Sequence, residues 1–171
     1  MLIRRETPAD PPAIHAVTAA AFARPDGALP MEARLVDEQR RDEGWLPALS
    51  LVATDPGGEV IGHVVCTRGR VGAVPALGLG PLSVRPDRQR RGVGLGLMHA
   101  VLGAADALGE PLVALLGSPD YYGRYGFRTS TEYGIDPPDP KYGKFFQVRT
   151  LAAYDPAVTG VFQFCGAFER L

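Results

Sequence analysis

The chain has 171 residues, 18 basic and 19 acidic side chains, a formal net charge of -1 and a hydrophobic fraction of 46%. So even a balance gives no general attraction to nucleic acid or to an anionic membrane, and no run approaches the ~18 apolar residues of a membrane span. The partner is to be sought at one local site of a cytoplasmic protein, and residues 1–171 suit one compact domain whose core needs neither disulfide nor structural metal.

In chain order, LIRRE at 2–6 reads as a short strand. Thr7 or Asp10 can cap the helix that follows over 11–23, with Ile14, Val17, Ala21 and Phe22 as its apolar stripe. A second, surface helix is expected over 31–43, with Leu35, Val36 and Gln39 on one side and Gly44 as its stop. LSLVATD and EVIGHVVCTR read as two strands joined by PGG. In 71–84, Pro75, Gly78, Gly80 and Pro81 interrupt any simple ladder, so a bent or bulged strand is expected.

The helix expected over 92–108 carries Leu97, Met98, Val101, Leu102, Ala105 and Leu108 on one stripe, with Gly109 as its cap, and EPLVALLG then reads as a buried strand. Strand, turn, helix and strand make a βαβ unit. SPDYYGRYGF reads as a short helix or helical turn, 128–144 as loop, and FFQVRTL and TGVFQFCGAF as late strands. Helices first, with hairpins and one parallel unit after, indicate a mixed α+β fold.

Chemistry concentrates at the turn before the third helix. Gly92 and Gly94 allow a ligand close to the backbone, the exposed amides and the positive helix end suit phosphate, and Arg88, Arg90 and Arg91 add charge. A solvated basic turn before a core helix would look the same. The ATP-loop pattern G-x-x-x-x-G-K-[ST] is absent, and Gly92-Val93-Gly94-Leu95-Gly96 misses the dinucleotide spacing G-x-G-x-x-G.

The run from Leu82 through Gln89, Arg90, Arg91, Gly92, Val93 and Gly94 closely resembles the acetyl-CoA motif Q/R-x-x-G-x-G/A of GNAT-type N-acetyltransferases. The resemblance covers nearly the whole chain. It implies the GNAT fold, with two splayed central strands, and acetyl-CoA as cosubstrate without a metal. Amides from Gln89 through Gly94 would wrap the pyrophosphate. Leu82 and Val84, with Ser83 between them, correspond to the strand end whose main chain pairs with pantetheine. LLGSPDYYGRYGF resembles the family's late strand and short helix, and Tyr122 falls where many members place a tyrosine that acts as general acid to the departing thiolate. Packing is the competing role for Tyr122. The segments EARLV, GPLSV, YYGRYGF and a late G-x-x-x-x-x-x-A-F resemble an uncharacterised bacterial branch more narrowly.

The activity so implied is transfer of acetyl to a primary amine of a small molecule, peptide or protein by direct attack in a ternary complex. A noncatalytic CoA-binding regulatory module is the alternative. No proton acceptor stands out: Ala76 to Val84 contains no acid, Glu32 could reach the acceptor or serve a helix start, and His15, His63 and His99 suit structural or surface roles. Ser118 could bind pantetheine or cap the short helix. Arg68 and Arg70 suit a solvent-facing hairpin, Trp45 and Leu46 either the core or the acceptor cleft, and Cys66 and Cys165 are buried free thiols. Aromatics at 142–146 could border an acceptor site, and the C-terminal strands offer an edge for a homodimer.

Overall fold

A computed structural model describes residues 1–171. Its elements are β1 (Leu2–Arg5), α1 (Pro11–Ala21), α2 (Met31–Arg40), β2 (Ser50–Thr54), β3 (Val60–Val71), β4 (Val74–Val84), α3 (Val93–Ala107) and β5 (Leu112–Leu116). After these come α4 (Pro119–Tyr122), β6 (Arg128–Thr129), β7 (Ile135–Asp136), β8 (Phe146–Thr150) and β9 (Gly160–Gln163). The strands form one mixed sheet in the order β1-β2-β3-β4-β5-β8-β6, and β9 pairs with both β3 and β7. Only β4–β5 and β7–β9 are parallel, so the α+β reading holds.

Side chains alternate across the sheet and split the core in two. On one face α3 lays Val93, Leu97, Met98, Val101, Leu102 and Ala105 on Ile61, Val64, Cys66, Leu77 and Leu79. The predicted stripe is correct except for Leu108, which is 55% exposed because the helix ends at Ala107 and the chain turns away through Gly109 at φ +77°. On the other face Ile14 and Val17 of α1 and Val36 of α2 cover Val52 and Val60, and the phenylalanines Phe146 and Phe162 cover Val71, Ala76 and Leu112.

Three boundaries differ from expectation for local reasons. The Asp42 carboxylate accepts the Gly44 amide at 2.8 Å, and this turn ends α2 at Arg40 rather than 43. β3 runs on to Val71 because its pairing with β4 continues to a tight turn, Val71↔Val74. Asp10 does not cap α1: its carboxylate turns back to accept from Arg4 (2.7 and 3.0 Å) and from the Thr7 amide (2.6 Å).

A polar network is buried under α1 and α2. Arg40 Nε donates to Glu6 Oε1 at 2.6 Å, and Ser50 Oγ donates to Glu6 Oε2 at 2.5 Å. With its one proton given to Glu6, Ser50 must accept from His63 Nε2 at 2.8 Å, which leaves His63 Nδ1 as the bare nitrogen, buried and without a partner. Burial works to raise the Glu6 pKa, but the His63, Arg40 and Ser50 groups around it outweigh that and hold it at about 2. Burial pushes the His63 pKa down, against the pull of Glu6.

Both groups have folded-state pKa values below their unfolded ones, so each adds stability at high pH and withdraws it on acidification. The urea midpoint should therefore fall as pH drops below the ordinary His63 value of 6.5, and fall further between the ordinary Glu6 value of 4.5 and about 2. Glu6→Gln should weaken the protein at neutral pH and flatten the lower part of this profile. A wild-type midpoint constant from pH 7 to 3 would contradict the assignment.

Candidate functional site

The site begins where the sheet comes apart. β4 and β5 pair only at Leu77↔Val113 and Gly78↔Ala114, although β4 continues to Val84 and β5 to Leu116. On its other side β4 stays paired with β3, but the register slips between Cys66↔Leu79 and Val64↔Leu82, so an extra β4 residue is inserted around Gly80 and Pro81. The strand bends there. Gln39, fully buried on α2, donates Nε2 to the Gly80 carbonyl at 2.8 Å and ties the bulge to the helix. Sequence reading placed Gln39 on the buried side of its helix but gave no sign of this bond.

The gap opens into a cleft of about 820 Å³ on the α3 side of the sheet. Its walls include Leu82 and Val84 of β4, Gln89, Arg90, Gly92 and Gly94 of the turn, and Tyr121, Tyr122 and Tyr125. Gly92 stands at φ +82° immediately before α3, and a Cβ there would meet no atom within 4 Å, so the backbone is bare toward the cleft. No side chain caps α3, and the amides of Arg90, Arg91 and Gly92 have no backbone partner. Unsatisfied donors, the helix dipole and the Arg90 side chain thus converge on one spot.

The side chains of the remaining predicted ligand residues are engaged in other ways. Ser83 is buried and donates to Thr18 Oγ1 at 3.1 Å on the far face; Val93 lies in the α3 core. Only their main chains face the turn or strand. Arg91 is exposed and outside the cleft wall. Gln89 Nε2 donates to the Val84 carbonyl at 3.1 Å, which closes the turn on itself. Ser118 is exposed and makes no side-chain cap bond, so the expected cap is absent; its carbonyl instead accepts the Tyr121 and Tyr122 amides at 3.1 and 3.0 Å.

The three tyrosines pack edge to face beside the gap, with Tyr121–Tyr122 centroids 4.8 Å apart and Tyr122 against Phe127 at 6.0 Å. Tyr125 Oη donates to Tyr121 Oη at 3.2 Å, and the Arg124 guanidinium lies over the Tyr121 ring at 5.0 Å. Tyr122 rests on the bare backbone of Gly117, just past the end of β5: a Cβ there would collide with its ring, with Cδ2 only 2.8 Å away. Gly117 is itself held, its amide on Phe145 O and its carbonyl on Gln147 Nε2, each at 2.9 Å. Burial, then the neighbouring Tyr121, push the Tyr122 phenol up to about 12. Tyr125 is raised for the same reasons. Both phenols keep their protons at neutral pH, so each has an O–H to donate.

Several candidates are committed elsewhere. Arg68 is not a free hairpin cation: it makes a double ion pair with Glu110 at 2.6 and 2.8 Å. His15 pairs with Asp37 at 2.8 Å, and His99 packs against the Tyr125 ring at 5.6 Å. Arg40 lies over the Trp45 ring at 5.7 Å, and neither Trp45 nor Glu32 lines the cleft. Ala21 and Phe22, by contrast, do line it, although the sequence marked them only as helix core. No group of three or more His, Cys, Asp or Glu side chains is placed to hold a metal ion.

Residues 2–130 match the family model described as Acetyltransferase (GNAT) domain. The chain belongs to the GNAT acetyltransferases. It is 37% identical over 165 residues to the uncharacterised N-acetyltransferase YhbS of Escherichia coli K12, covering 94% of this chain and 92% of that protein. The crystal structure of E. coli YhbS in complex with CoA superposes with a TM-score of 0.88 at 33% identity, over 99% of this chain and 92% of that one. A GNAT family acetyltransferase from Brucella melitensis, in complex with acetyl-CoA, gives a TM-score of 0.79 at 31% identity, over 98% and 97%. The fold is therefore the GNAT fold, with its mixed central sheet flanked by helices.

Two glycines of this GNAT site should respond differently to alanine. Gly117→Ala forces the Tyr122 ring off its seat and should cost about 1–3 kcal/mol. Gly92→Ala meets open space and should cost only the left-handed backbone penalty, about 1–2 kcal/mol. Urea denaturation, with the near-UV tyrosine signal as a probe of packing, separates them: only Gly117→Ala should alter that signal.

Proposed function

We propose that this chain transfers acetyl from acetyl-CoA to a primary amine by direct attack while both are bound. The observation that carries the reading is the parting of β4 from β5 beside the uncapped start of α3. Unpartnered strand groups lie within the same cleft as a cluster of free amides, and this suits a ligand with a diphosphate at one end and an amide-bearing chain at the other. Both CoA-bound relatives share the fold over nearly its whole length. CoA fits the residues present: its pyrophosphate would meet the Arg90 to Gly94 amides, its pantetheine the main chain at Leu82 and Val84, and its acetyl thioester the tyrosine end.

No Cys, Ser, His or Lys lines the cleft, which suits direct transfer without an acetyl-enzyme. The amine nitrogen bonds to the acetyl carbon, the carbon–sulfur bond breaks, and sulfur leaves with the electron pair. No Asp or Glu lines the thioester's cleft, and in this reading the amine's proton goes to water. Tyr122 faces the sulfur. Its phenol, raised to about 12 by burial, keeps its proton at neutral pH and donates to the forming thiolate.

The missing carboxylate also favours a second reading, a CoA-binding module without turnover. A screen of amine classes with mass detection of the acetylated product and assay of free CoA decides between them: acetylated amine supports transfer, and binding without product supports the module.

Three outcomes are expected under the transferase reading. Tyr122→Phe should lower kcat about 10–100-fold with acetyl-CoA affinity retained, the loss of one bond to a charged group. Wild-type kcat/KM should rise with pH along the acceptor amine's own ionisation, with no enzyme carboxylate or imidazole plateau before it. Gly92→Asp should abolish CoA binding measured by calorimetry, because it sets a negative charge among the phosphate donors.

Gln39 acts as a positioning residue through the Gly80 carbonyl. Gln39→Glu can make that bond only when its carboxyl is protonated, so its kcat relative to wild type should fall as pH rises, with CoA affinity unchanged. A ratio independent of pH would leave Gln39 a packing residue.

A further inference from the structure

The cleft side of the gap is taken by the thioester ligand, so the amine must come from the opposite face. That face has its own lining. Gly78, the last β4 residue paired with β5, points there, since Leu77 and Leu79 on either side of it lie in the α3 core. A Cβ on Gly78 would stand 2.6 Å from Cδ1 of Phe164, so the Phe164 ring covers the base of the gap. Phe168 stacks on that ring at 4.3 Å and 27°, and Phe146 meets it edge-on at 6.0 Å.

The opposite flank is apolar too. Leu116, the last residue of β5, pairs with Phe146 and so projects to the same face, where it is 48% exposed. Phe145, next in the chain to Phe146, is also 48% exposed with Lys144 Nζ 5.5 Å from its ring, while Phe164 and Phe168 are half-buried. Glu169, the residue after Phe168, is exposed to solvent. Asp42 and Glu38, which lie next to the C-terminal turn, are held by Arg170 at 2.8 and 3.6 Å. Phe164 and Phe168 also lie beyond residues 2–130, the part matched by the general family model.

We propose that this face is the acceptor site and that it selects a primary amine carried on an aromatic or extended apolar body, with Phe164 and Phe168 as the specificity-determining residues. The inference rests on the acetyl-transfer reading above. An aryl group packs against this aromatic cluster, and its ammonium, before losing a proton, is drawn to the same surface. A polyamine or aminoglycoside would set further charges against an apolar wall, at a desolvation cost that an aryl group does not incur.

The test is initial-rate kinetics at saturating acetyl-CoA with 2-phenylethylamine, spermidine and an aminoglycoside. The aryl amine should show a kcat/KM at least about tenfold above the other two. Phe168→Ala should raise its KM about tenfold, and Phe168→Leu, which keeps the packing volume, less so; kcat, acetyl-CoA affinity and the urea midpoint of the leucine variant should stay near wild type. Preference for spermidine or the aminoglycoside would overturn the proposal, as would an unchanged KM in folded Phe168→Ala. Acetyl-CoA binding with no amine turned over at all would instead overturn the acetyltransferase reading, and the acceptor assignment with it.

Discussion

Everything at the site follows from one interruption in hydrogen bonding: β4 and β5 share two register pairs and then separate. The sheet survives the separation because each strand is anchored on its outer side, β4 along β3 and β5 along all five residues of its pairing with β8. Main-chain groups that face the gap are thus held rigidly in place without a strand partner. An extended ligand can complete such a pair at low conformational cost, since the protein side is already ordered. The bulge at Gly80 and Pro81 enforces the bend, and the Gln39 amide on the Gly80 carbonyl ties it to α2.

The two sides of the sheet have been given different chemistry. Toward α3 the gap meets backbone donors, Arg90 and a set of protonated tyrosines, a surface that favours negative charge on phosphate and sulfur. On the far side lie the Glu6–Arg40–Ser50–His63 network and the Asp42–Arg170 ion pair, while phenylalanines line the gap. A buried network in which every strong donor meets an acceptor keeps its charges from acting on the gap, at the cost of one bare nitrogen on His63. The division matches a reaction in which one reactant is polyanionic and the other arrives as a free base.

Much of this was legible beforehand where the signal is local. Gly92 and Gly94 before an apolar helical stripe predicted both the start of α3 and its bare amides, and the Pro and Gly residues of 71–84 predicted the bent strand. Other local readings failed because a distant partner won. Asp10 looked like a cap, yet Arg4 holds its carboxylate; Arg68 looked solvent-facing, yet Glu110 pairs with it from 42 residues away; Ser118 looked like a cap, yet only its carbonyl is used. Ser83 and Val93 sat inside the recognisable motif, but strand alternation and helix phase turn their side chains from the cleft.

By itself the sequence determined the order of elements, the core face of α3 and the glycine turn that opens it, because periodicity and glycine placement act over a few residues and need no partner. Only the tertiary structure decided that Phe22 joins the cleft wall, that Gln39 reaches Gly80, and that Phe164 closes the base of the gap beside Gly78. These pairs lie 41 or more residues apart in the last two cases, and nothing in a local pattern encodes which side chain will reach a backbone atom across the sheet.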